Sequence, residues 1–299
     1  MTDRKKIKII VSIDFNDESM AALKQSYRVA KFLKAEIVLV HVFELPDFLE
    51  SLFTKNEDLV RITAETVLKL NDLVTRAKQE SDLEVTSRFE TGKAYIRIVE
   101  VAKEINARLI IMGRSGTDAT KRLGSNTIHV VGNAPCPVIT VKDFNHKIDF
   151  KNIILPLDLS KKTAEQTAMA VALGKHFGST IHIVSVLTGG IFLYRSRIYT
   201  KMLRVERELA KQNVITKLKL YPKSAIPAYE LIMKYSEEEN ADLIMLLARQ
   251  ESSVNEHYVG ATAQHIINES IIPVLSLIPA ERHSGESPFE SVWNPLGVY

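Results

Sequence analysis

Cysteine is almost absent: Cys136 stands alone in 299 residues, so no disulfide can form within the chain. It lies between Pro135 and Pro137 at the start of an apolar run, with no histidine or basic residue beside it, and reads as a buried, inert thiol. Long hydrophobic runs are missing too. None approaches the roughly eighteen apolar residues that a membrane-crossing helix requires. The first residues, Met1 to Lys6, pass straight into Ile7–Ile13, too short a stretch and without the small-residue cleavage site of a signal peptide. A cytoplasmic location and no membrane partner are the expectation.

Charge of one sign is lacking as well. Basic residues number 39 and acidic ones 36, a formal +3, which gives no reason to expect nucleic-acid binding. The Arg4-Lys5-Lys6 cluster reads as a solvated lead-in to the first strand. The eight histidines are scattered, and none has further ligands at the spacing a metal needs, so no metal site is expected. The Gly-x-Ser-x-Gly elbow of a hydrolase is missing, since residue 117 is Thr. So is the Gly-x-x-x-x-Gly-Lys-(Ser/Thr) loop of a P-loop ATPase, because Gly124 is followed by Ser125 without a lysine. No catalytic residue is assigned, and the chain is expected not to be an enzyme, slow ATP hydrolysis aside.

What is present is a strand–helix alternation. Lys8–Ile13 is a β-branched run ending at Asp14, and Asn16-Asp-Glu-Ser19 supplies helix-start chemistry. Glu36–Phe43 is nearly continuous in apolar character, the mark of a strand buried on both faces of a parallel sheet. A helix with Leu59, Ile62, Thr66, Leu70, Leu73 and Ala77 follows, then strand Leu83–Phe89, helix Ala94–Ile105, strand Arg108–Met112, helix Asn126–Val131 and strand Pro137–Val141. The order then repeats. Asn152–Leu157 ends at Asp158, Ser160 is placed to cap a helix from Ala164, and Thr180–Val186 is a second strand. A helix over about 196–213 follows, then strand Ile215–Leu220, helix Ile226–Tyr235, strand Asp242–Leu247, helix Ala261–Asn268 and strand Pro273–Ile278.

Some echoes are literal. Ile105-Asn-Ala-Arg-Leu-Ile-Ile-Met112 matches Glu239-Asn-Ala-Asp-Leu-Ile-Met-Leu246, and Cys136-Pro-Val-Ile-Thr-Val141 matches Ile272-Pro-Val-Leu-Ser-Leu277. A duplication is the reading, with its seam near Lys142–Lys151. The expected fold is α/β: two doubly wound five-stranded parallel-sheet domains in tandem, residues 1–145 and 150–279, with a tail at 280–299. The tail is polar at first but carries Phe289, Val292, Trp293 and Tyr299. The two apolar last strands would each lie at a sheet edge, and exposed apolar edges invite pairing. Self-association through these edges, as an intrachain pseudo-dimer, is therefore expected.

Ligands of open α/β sheets bind at the carboxyl ends of the strands. In the first half Asp14 closes the first strand, Gly113-Arg-Ser-Gly116 follows the fourth, and Gly124-Ser-Asn-Thr127 opens the next helix. Glycines let backbone N–H groups approach phosphate oxygens, and a helix N-terminus adds its positive dipole end. Ser125 and Thr127 can donate hydroxyl bonds, Asn126 lies between them, and Arg114, Lys121 and Arg122 can supply compensating charge. The bland reading of the same glycines is a tight turn and a helix start.

This layout resembles the universal stress protein family. The stretches that carry the likeness are Ile9–Asp14, Leu109–Gly116, Gly124-Ser125 and Ala134–Val141 in the first half, and Ile153–Asp158 and Pro273–Leu277 in the second. The resemblance implies that Asp14 contacts the nucleoside and that backbone near Val42 faces adenine. It also implies that Gly113, Gly116, Gly124 and Ser125 surround ribose and phosphates, the ligand being ATP or another adenine nucleotide. Two departures stand out. Only seven residues, Thr117–Leu123, separate Gly116 from Gly124, where ATP-binding members have nine. In the second half Leu247-Ala-Arg-Gln250 replaces the glycine pair, and Gly260 is followed by Ala261, which has no hydroxyl. The second site is expected not to bind ATP in the family's manner. Two classes stay open: a stress-response protein whose first half binds an adenine nucleotide, and a non-binding adaptor that works through its surfaces.

Overall fold

The computed structural model describes residues 6–44, 57–114, 125–158, 163–187, 192–248 and 259–277. The first half runs β1 Lys8–Ser12, α1 Asp17–Leu33, β2 Glu36–Phe43, α2 Glu57–Ser81, β3 Val85–Thr91, α3 Ala94–Glu104, β4 Leu109–Gly113, α4 Ser125–Asn133 and β5 Val138–Val141. The second half repeats it: β6 Asn152–Pro156, α5 Ala164–Phe177, β7 Thr180–Val186, α6 Phe192–Lys211, β8 Ile215–Tyr221, α7 Ala228–Glu238, β9 Leu243–Leu247, α8 Ala261–Glu269 and β10 Val274–Leu277.

Among the described residues ten strands join one sheet in the order β3-β2-β1-β4-β5-β10-β9-β6-β7-β8. Within each half every pairing is parallel, which long crossover helices permit and tight turns do not. Among the described strands the one antiparallel pairing is the seam, where Val274 faces Thr140, Leu275 faces Ile139 and Ser276 faces Val138. The two apolar edges thus cover each other within the chain, leaving β3 and β8 as the outer edges. The central strands read as unbroken apolar runs because both their faces are packed: Ile9, Ile10 and Val11 are all fully buried.

Each core runs across the seam. On one face Ile9, Val11, Leu39 and Ile111 pack with α1, α2, α5 and α6. On the other Ile10, Val40, Ile110 and Val138 pack with α3, α4, α7 and α8. The linker is fastened to α1. Gln25 donates its amide to His146 O and accepts from Ile148 N, both at 3.1 Å, and Arg28 pairs with Asp149. Phe32 of α1 then stacks near Phe177 of α5, ring centroids 4.4 Å apart, with Phe150 of the linker 4.6 Å from Phe177. Phe150 adopts φ 54°, a left-handed backbone unusual for a bulky residue, and its fully packed ring is what holds it there.

Helix ends follow local chemistry. Asn16 caps α1, its side-chain oxygen accepting from Ser19 N at 2.7 Å. The expected cap at Ser160 lies outside the described residues, and Thr163 stands at the start of α5 without a side-chain cap bond. The tail 280–299 also lies outside them.

Candidate functional site

The chain changes direction at β1. Crossovers through α1 and α2 lie on one face of the sheet and those through α3 and α4 on the other, so β1 and β4 flank a switch point. The turn after β1 is laced by side chains. The Asp14 carboxylate, exposed, accepts from Asn16 N at 3.2 Å and from the Asn16 amide at 2.9 Å. Asp14 N donates to the Ser19 hydroxyl oxygen at 3.3 Å, and that hydroxyl donates to Asn16 O at 3.1 Å. Between them Phe15 sits at φ 64°, in a turn that contains no glycine. Its ring lies 5.0 Å from His41 and beneath the ammonium of Lys69, 4.3 Å from the ring centroid. Nothing in the sequence marks this turn as left-handed, and the contact with Lys69 joins residues far apart in the chain.

His41 is a tether. Its Nδ1 lies 2.7 Å from Ile13 O, at the root of the turn. The second half repeats the tie with other chemistry, since Ser185 donates its hydroxyl to Leu157 O at 2.7 Å. Both bonds hold the carbonyl that precedes the terminal aspartate, Asp14 or Asp158.

The remaining residues singled out in the sequence divide. Val42 is half-buried near the end of β2 and packs on the core face that α3 and α4 cover. Gly113 closes β4, where a Cβ would meet the backbone of Glu18 and Ser19 at 2.4 Å, so glycine is required there by the passage of α1 alone. Arg114 is buried and turned to the second half: its guanidinium donates to Ile267 O at 3.4 Å and Ser270 O at 3.2 Å. Burial draws its pKa below the ordinary arginine value, opposed by the attraction of Glu18, Glu269 and Asp143. Ser125 begins α4, Asn126 is half-buried and Thr127 is buried. Gly116, Gly124, Lys121 and Arg122 lie outside the described residues. The structure therefore brings Asp14, Val42 and Gly113 to the carboxyl ends of three adjacent strands, and sends the Arg114 side chain elsewhere.

In the second half Lys201 donates its ammonium to Asp158 O at 2.5 Å, its pKa lowered by burial. Gly260 stands at the N-terminus of α8 with no side-chain cap bond. Among the described residues no group of three or more His, Cys, Asp or Glu could hold a metal ion, and no helix is long and apolar enough to cross a membrane.

Repeated 3-2-1-4-5 strand orders joined at their last strands, each with a switch point beside its first, define a tandem doubly wound α/β protein. The model of the universal stress protein family matches residues 7–142 and again 149–277, and the chain belongs to that family. A universal stress protein of Methanocaldococcus jannaschii is 30% identical over 141 residues, 45% of this chain and 81% of that protein. A putative universal stress protein of Staphylococcus aureus is 28% identical over 161 residues, 52% of this chain and 95% of that one. Among solved structures, a universal stress protein of Archaeoglobus fulgidus superposes with a TM-score of 0.70 at 19% identity, covering 93% of this chain and 97% of its own. That likeness extends the tandem architecture across both halves.

Proposed function

We propose that the first half binds ATP or another adenine nucleotide in the crevice at the carboxyl ends of β1, β2 and β4, and that the protein serves the stress response as a cytoplasmic binding protein, not as an enzyme. One observation carries the reading. Asp14, Val42 and Gly113 stand at the carboxyl ends of three adjacent strands, at the switch point where α1 and α4 pack on opposite faces of the sheet. In this reading Asp14 meets the nucleoside, backbone near Val42 faces the base, and Gly116, Gly124, Ser125, Asn126 and Thr127 meet ribose and phosphates. Arg114 is left out, because its guanidinium serves the second half. The second half, with Leu247-Ala-Arg-Gln250 in place of the glycine pair, holds no nucleotide of its own.

A non-binding adaptor is the second reading. It is favoured by the Asp14 carboxylate already accepting both the backbone and side-chain N–H groups of Asn16. Titration calorimetry with ATP, beside nucleotide analysis of heat-released protein, decides between the two. Binding that Gly116→Val abolishes and Gln250→Val leaves intact supports the first reading, since a β-branched side chain would fill the phosphate approach. Absence of binding up to millimolar ATP establishes the second.

A further inference from the structure

Just past the fourth strand of each half the side chains differ sharply, Arg114 in the first and Ala248 in the second. Arg114 N donates to Val141 O at 2.8 Å and Ala248 N donates to Leu277 O at 3.0 Å, so the two residues occupy matching positions after β4 and β9. Ala248 is fully buried, and Arg114 only 8% exposed. The arginine reaches across to Ile267 O and Ser270 O at the C-terminal end of α8. The last carbonyls of a helix have no partner within it, and the helix dipole favours a cation there. Gly113 is meanwhile pressed against Glu18 and Ser19 at the start of α1. The end of β4 is thus clamped between α1 of its own half and α8 of the other.

We propose that Arg114 is a positioning residue: it fixes the carboxyl end of β4 to the second half, so that a half supplying no ligand of its own sets the geometry of the first half's crevice. Its effect on binding rests on the nucleotide reading above; the tie itself does not. A residue that bonds phosphate loses its contribution only with charged ligands. One that holds the crevice in shape affects every ligand alike, because what is lost is preorganisation.

The test uses the full chain with Arg114→Ala and Arg114→Lys. In nucleotide-free protein, amide exchange over residues 266–272 is expected to speed up about tenfold in the alanine variant, as the charge-assisted bonds at the α8 end are lost. Exchange in β7, away from the tie, should not change. The lysine variant, which keeps the charge, should fall between, and the buried Ala248 at the matching position argues that the fold accepts alanine there. Unchanged exchange at 266–272 in both variants overturns the proposal. With ligand, ATP and adenosine should weaken by the same factor, about tenfold for a loss of ~1.4 kcal/mol. A loss for ATP much larger than for adenosine makes Arg114 a phosphate contact and also overturns it. If wild-type protein binds neither compound, the nucleotide reading falls, and the exchange result alone upholds or rejects the tie.

Discussion

The Nδ1 of His182 lies 3.2 Å from the hydroxyl oxygen of Tyr235, with the imidazole fully buried between β7 and α7. Glu239 stands 3.7 Å from the same nitrogen and is paired with Lys217, while Lys219 lies over the rings of Tyr221 and Tyr235. The matching place in the first half is filled by Val38 and Val101, so one half has a polar cluster where the other is apolar. Among the described residues the Nε2 of His182 has no hydrogen-bond partner. A proton on this ring would put a charge in the core that Glu239, already paired with Lys217, offsets only in part.

Stability should therefore fall on acidification. Burial first, then Lys217, draws the His182 pKa below its ordinary 6.5, against the attraction of Glu239. The unfolded chain then binds the proton more readily, and stability is lost as pH falls below about 6.5. His182→Val, matching Val38, should flatten this loss. Thermal melts of both proteins from pH 7 to pH 5 measure it, and parallel curves would count against the account.

Asp242 should act in the opposite sense. Burial pushes its carboxyl up to about 6, although Oδ2 accepts from Lys151 N at 2.7 Å and Asn152 N at 3.1 Å. A carboxyl whose folded pKa exceeds its unfolded one favours the folded state when protonated, so stability declines as pH rises from about 4 through about 6. Asp242→Asn keeps an oxygen for both N–H groups and removes the charge. Urea unfolding at pH 4.5 and 7.5 should show the variant gaining on wild type at the higher pH by up to roughly 2 kcal/mol, the part of the two-unit shift that falls between those pH values at about 1.36 kcal/mol per unit.

Gly113→Ala should destabilise the protein whether or not any nucleotide binds. Its Cβ would approach Glu18 C and Ser19 N to 2.4 Å, and backbone atoms of a helix start cannot step aside as a flexible side chain can. Overpacking of this kind costs about 1–3 kcal/mol. Thermal melts without ligand check it; an unchanged melt would return Gly113 to a purely ligand-related role.

Cys136 should be inert. Its thiol is buried, and burial pushes its pKa up to about 12, so almost no thiolate forms near neutrality. Ellman's reagent should react at a measurable rate only once denaturant is added. Rapid labelling of native protein would show an opening in the packing beneath α4.

Where the sequence alone is a good guide, the physics is local. Glu36–Phe43 and Thr180–Val186 fall on the observed strands because strands packed on both faces are mostly apolar, and the buried polar exceptions in the second, His182 and Ser185, each have a hydrogen-bond partner. The edge strand is harder. Val85–Thr91 begins two residues later than the expected Leu83, since a half-buried edge strand carries Ser87 and Arg88 and weakens the apolar signal. Ile226 drew the expected helix too far back: it is exposed ahead of Pro227, and α7 starts at Ala228. That Asp14 follows β1 and Gly113 closes β4 was legible, but not what packs on them. The partners of Arg114 are main-chain carbonyls some 150 residues away, and a carbonyl leaves no mark in a sequence.

Closing the seam between β5 and β10 has a consequence for growth of the molecule. Among the described residues the outer strands are β3 and β8, and these carry Arg88 and Glu90 on one rim and Lys217 and Lys219 on the other. Ribbons guarded by charge discourage a neighbour from docking strand to strand. Rims of this kind disfavour growth of the sheet by strand addition.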